Sequence, residues 1–131
     1  MKLFSWVKRA WLESATVEVV TPPINTFVYC SLHFEATHCW PECPFEEVAY
    51  LRVPHRHMFH IVAYVPVHHD DRDVEFIMLK HKIEKYLRST YPQHDFGSKS
   101  CEMIAKELIG QFSLSGCNVS EDGENGAMVT F

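Results

Sequence analysis

The run Thr26-Phe27-Val28-Tyr29-Cys30-Ser31-Leu32-His33-Phe34-Glu35-Ala36-Thr37 reads as a strand over roughly 25–37. A second, longer and mostly apolar strand is predicted from Val53 to Val67. The polar stretch His68–Asp73 then reads as a turn. The period changes to 3.6 over Val74–Ser89, where Phe76, Leu79, Ile83, Tyr86 and Leu87 fall on one stripe, so a helix is expected there. Tyr91–Gly97 breaks it. A second helix is expected to begin near Ser98 or Ser100, with Met103, Ile104, Leu108 and Phe112 as its buried face. The Ser100 hydroxyl suits its cap, with Glu102 and Glu107 following. Beyond Gly116, Cys117–Glu121 and Ala127–Phe131 read as a closing hairpin around the loop Asp122–Gly126. The order strand, strand, helix, helix, strand, strand describes an α+β domain, a four-stranded antiparallel sheet with two helices on one face.

Ahead of it, residues 1–24 read as an N-terminal extension, with the domain at 25–131. Leu3, Trp6, Val7, Ala10 and Trp11 share one face of a short amphipathic helix expected over 3–13, and Pro22-Pro23 ends that region. Its apolar run is broken by Lys8 and Arg9, unlike a secretory signal. No stretch approaches the ~20 apolar residues of a spanning helix, so no membrane partner is expected. A net charge of −5 without a basic stripe argues against nucleic acid. The five cysteines are odd in number and irregularly spaced, which makes a poor disulfide framework and points to a reducing, cytoplasmic compartment.

Histidine placement carries the chemistry. In His55-Arg56-His57, at the head of the second strand, residues two apart share a face, so both imidazoles can grip one ion. His38 ends the first strand. If the two strands pair, three imidazoles converge and one position stays open, the layout of a catalytic zinc centre. With nine histidines in the chain, one His-x-His pair by chance is also plausible. Cys39 and Cys43 look like a second metal pair, but no further Cys pair follows at zinc-ribbon spacing.

Taken together, these segments resemble the 6-pyruvoyl-tetrahydropterin synthase and 6-carboxy-tetrahydropterin synthase family of the tunnelling fold. Phe34-Glu35-Ala36-Thr37-His38 resembles its Phe-Asp-Ala-Ala-His signature, and His55-Arg56-His57 its His-Gly-His pair. Glu75-Phe76-Ile77-Met78-Leu79-Lys80 is similar to its Asp-Phe-x-x-Leu-Lys helix start. Lys99-Ser100-Cys101-Glu102 is similar to its Pro-Thr-Ser-Glu helix start, and Val119-Ser120-Glu121-Asp122 to its Val-x-Glu-Thr strand. The resemblance spans roughly 26–131. It implies zinc on His38, His55 and His57, a pterin or purine-like small molecule held by Glu121 with Ser100 and Glu102, and a hexamer built as a dimer of trimers. A carboxylate at Glu121 suits a guanidine-like edge that offers two parallel N–H donors. The implied activity is a carbon–oxygen lyase acting on dihydroneopterin triphosphate, in tetrahydrobiopterin or 7-deazaguanine (queuosine) synthesis.

The acid–base set departs from the family. Its catalytic cysteine lies four residues before the first histidine of the pair, where this chain has Leu51. Glu46 or Glu47 is a candidate replacement, as some relatives use a shifted glutamate. Cys43 is another, because a thiol near zinc has a lowered pKa. The family's Asp-His pair falls on Tyr91 and Pro92, with His94-Asp95 nearby in reversed order as a candidate proton relay. Losing a positioned base costs ~100- to 10,000-fold in rate. The alternative expectation is therefore a non-catalytic protein that binds a pterin or purine or serves in assembly. A third is a structural zinc site with Cys39 or Cys43 as fourth ligand.

Overall fold

The computed structural model describes residues 24–131. The helix expected over 3–13 lies outside them. Strand β1 spans Thr26–His38 and strand β2 His55–Val67. Helix α1 covers Phe76–Thr90 and helix α2 Cys101–Phe112. Strands β3 (Gly116–Glu121) and β4 (Asn125–Thr130) follow. All neighbours pair antiparallel in the order β1-β2-β3-β4. The α+β class and the four-stranded antiparallel sheet are as the sequence pattern indicates.

Helix number differs from the expectation. Among the described residues there is a third helix, a 3₁₀ segment over Glu46–Arg52 kinked at Val48, where the sequence reads as irregular loop. Arg52 ties it back: its Nε donates to the Cys43 carbonyl at 2.8 Å and Nη2 pairs with Glu46 at 3.0 Å. Pro54, which has no N–H to give a ladder, accounts for β2 starting at His55 instead of Val53.

Helix starts are set by side-chain caps. Glu75 accepts from the backbone N–H groups of Ile77 and Met78, and Ser100 from that of Met103. Both helices lie on one sheet face, where Phe59 and Ile61 of β2 meet Ile83 and Leu87 of α1 and Ile104 and Leu108 of α2. Each such fully buried side chain contributes roughly 1.5–3 kcal/mol. Phe76 and Met103, expected in this core, are instead half exposed. They sit in the first turns of their helices, and Cys101, Ile104, Ala105 and Leu108 form the packed stripe of α2. Among the described residues the opposite sheet face carries no helix and exposes Phe27, Tyr29 and Met128.

The closing hairpin is tighter than expected. Asp122 and Gly123 both have positive φ (58° and 73°), and the Glu124 N–H donates to the Glu121 carbonyl at 3.0 Å. That is a type I′ turn, which Asp-Gly favours. It lets β4 begin at Asn125. Gly126 is required just after it, because a Cβ there would lie 2.1 Å from the Val119 carbonyl oxygen.

Candidate metal centre

Register brings the histidines together. His38 of β1 is paired with His55 of β2, and His57 is paired with Ala36, so all three rings lie on the helix-covered face. Their centroids are 4.6, 5.0 and 5.3 Å apart, and one ligand atom from each lies within 4.8 Å of the others. Phe59 stands against the rings of His38 and His57 at 5.1 and 5.8 Å and forms an apolar floor.

Each ring is oriented from behind. Nδ1 of His38 lies 2.9 Å from the Lys99 carbonyl, and Nδ1 of His55 lies 2.9 Å from the Val53 carbonyl. Nδ1 of His57 lies 2.7 Å from Oδ2 of Asp122. All three partners are acceptors, so each Nδ1 carries a proton, and the neutral form of each ring leaves its lone pair on Nε2. Backbone carbonyls and a carboxylate behind metal-bound imidazoles fix tautomer and angle in this way. The Lys99 carbonyl reaches His38 because the segment after α1 runs along the end of β1. There Thr37 bridges to Asp95 and the Cys39 N–H donates to the Gly97 carbonyl at 2.8 Å.

The front of the site supports the same assignment. Nε2 of His38 and Nε2 of His57 are buried without a hydrogen-bond partner among the described residues. The Glu121 carboxylate stands 3.0 Å from the first and 3.4 Å from the second, close enough for charge interaction but outside hydrogen-bond geometry. Lone pairs of neutral imidazole facing a carboxylate repel unless a cation or proton lies between them. A metal ion held by the three nitrogens satisfies both unpartnered Nε2 atoms, and the group is placed to hold one.

Beside the rings opens a pocket of ≈ 510 Å³, whose walls include Leu51, Ser100, Glu102 and Glu121. Residues expected to hold substrate thus share one wall with two of the three ligands, His38 and His55. Cys101 also lines it, with Sγ 3.9 Å from Glu121. Burial first, then the Glu121 charge, push that thiol up to about 12, so it stays protonated.

The residues expected to move protons are placed elsewhere. Cys43 is buried, with Sγ 3.7 Å from the Phe45 carbonyl, and Glu46 is exposed in its pair with Arg52. Glu47 is exposed on the same 3₁₀ segment. His94 stacks on Phe34 at 4.5 Å with Nδ1 on the Glu35 carbonyl, and Asp95 bonds Thr37 and the Gly97 N–H. None of the five lines the pocket, whereas Cys39 does. Arg56 points to the helix-free face and pairs with Glu35 at 2.9 Å.

Asp122 is the residue that sequence reasoning passed over, as part of a loop. Its Oδ1 accepts from the Met58 N–H at 2.9 Å while Oδ2 takes His57. Those two hydrogen bonds, the backbone one foremost, hold its carboxyl below the usual value. The available signal was Asp-Gly directly after Glu121 at the hairpin turn. No protein-family model and no curated protein matches this chain at a significant level.

Proposed function

We propose that this chain is a zinc-dependent enzyme of the tunnelling fold that acts on a pterin or purine-like metabolite, in the manner of a tetrahydropterin synthase lyase. The carrying observation is the Glu121 carboxylate, set 3.0–3.4 Å from two imidazole nitrogens at the mouth of a substrate-sized pocket. Three nitrogens and an open position suit zinc, which when bound polarises a carbonyl or hydroxyl oxygen. Glu121 accepts the paired N–H donors of a heterocycle edge. Ser100 and Glu102, at the N-terminus of α2, flank that edge. Glu121, Glu102 and Cys39 are among the titratable groups in the pocket wall. The edges of β1 and β4, which pair with no further strand among the described residues, and the exposed Phe27, Tyr29 and Met128 support a homo-oligomer such as a dimer of trimers.

A second reading is a heterocycle-binding protein without turnover. It is favoured by Leu51 in the pocket wall and by the position of Cys43, Glu46, Glu47, His94 and Asp95 outside it. One experiment separates the two. The zinc-loaded chain is incubated with dihydroneopterin triphosphate, and products are followed by mass spectrometry beside a melting curve. New product masses that vanish in Glu121→Gln support the enzyme. A melting shift without product supports the binder. Neither product nor shift refutes both.

A further inference from the structure

β1 and β2 carry another pair of facing imidazoles. His33 and His60 are direct register partners, and their ring centroids lie 4.0 Å apart at an interplanar angle of 43°. By strand parity both stand on the helix-free face, across the sheet from His38, His55 and His57. Their spacing is close to the 4.6–5.3 Å between rings of the three-histidine centre. The ladder holds the two side-chain origins about 4.5–5.5 Å apart, so little movement is needed to aim both rings at one point.

Gly123 of the hairpin turn packs against His60, where an added Cβ would meet Cε1 at 3.4 Å, so the turn backbone walls one side of that ring. His33 is exposed and can rotate toward its partner. Neither ring hydrogen-bonds to another described residue. The nearby carboxylates are engaged, Glu35 by Arg56 and Asp122 by His57 and the Met58 N–H.

We infer that His33 and His60 form a second metal site, independent of the three-histidine centre, for a nitrogen-preferring first-row transition cation. Two imidazoles with the remaining positions open to water select Cu(II) ahead of Ni(II) and Zn(II). Calcium and magnesium, which need oxygen ligands, are excluded. With two protein ligands and no carboxylate behind either ring, this site binds more weakly than the three-histidine centre.

The test is a Cu(II) titration of the metal-free full chain at about pH 7.5, where free imidazole is neutral, read by equilibrium dialysis and electron paramagnetic resonance. Wild type is expected to bind one more Cu(II) per chain than His33→Ala, and His60→Ala should match His33→Ala. The double variant H55A/H57A should keep the weaker site, with hyperfine structure from two nitrogens. Equal stoichiometry in wild type and His33→Ala overturns the inference. So does loss of the weaker site in H55A/H57A while circular dichroism still shows the native fold. His33 is solvent-exposed, so its variant tests the ligand without disturbing the core.

Discussion

Asp122→Asn removes one charge and keeps the shape, and its consequence follows from hydrogen-bond accounting. Asp122 now accepts twice, from the Met58 N–H at 2.9 Å and from His57 Nδ1 at 2.7 Å. Asparagine has one acceptor and one donor end. If its oxygen takes Met58, its amide faces Nδ1 of His57, and that ring must move its proton to Nε2, where it blocks the metal. If its oxygen takes His57, two N–H groups collide at Met58. Either arrangement weakens the lone pair offered to the ion. Loss of a partner of this kind typically costs ~10- to 100-fold in metal affinity, which is about 1.4–2.7 kcal/mol. Asparagine tolerates the positive φ of 58° at this turn, so the hairpin should survive. The assay is competition for Zn(II) against a chromophoric chelator, with the melting temperature of the metal-free protein as the control for folding. Zinc affinity within twofold of wild type, with the fold intact, would refute the assigned role of Asp122.

Other expectations concern the scaffold. Lys99, Tyr91 and Tyr86 converge on Glu107, with Lys99 Nζ 2.6 Å and the two phenols 2.6–2.8 Å from its oxygens. Burial alone would raise the Glu107 carboxyl, but these hydrogen bonds outweigh it and hold it below its ordinary value of 4.5. Its contribution is therefore present above pH 4.5 and lost as pH falls through the lower folded value. Hydrogen bonds to Glu107 and Tyr91 raise Lys99 from 10.5 to about 12, so its share persists below pH 10.5 and fades as pH climbs through 12. Glu107→Gln should flatten both limbs of the stability–pH curve of the metal-free protein, measured by denaturant titration, and an unchanged acid limb would count against the network. Phe59→Ala, which empties a fully buried position beneath His38 and His57, should cost roughly 3–5 kcal/mol of stability and weaken zinc binding together. A change under 1 kcal/mol in the urea midpoint analysis would contradict the packing described.

The sequence by itself determined the four strands, the two α-helices and the shared face of His55 and His57, because these rest on local periodicity. Parity along β2 commits His55 and His57 to one face wherever the strand is placed. A 3.6-residue stripe commits Leu79, Ile83 and Leu87 to a core. It did not determine which groups stand behind the imidazoles or line the pocket, because those contacts join residues far apart in the chain. The pairing of His38 with His55, the carbonyl of Lys99 behind His38 and the carboxylate of Asp122 behind His57 depend on strand register and on the path of the segment after α1. Backbone carbonyls in particular leave no trace in residue type. The 3₁₀ segment likewise had no periodic signature, and it was tertiary packing that turned Cys43, Glu46 and Glu47 away from the pocket and left Cys39 in its wall. Local chemistry sets what a strand or helix can present, and only the closed sheet decides what it is presented to.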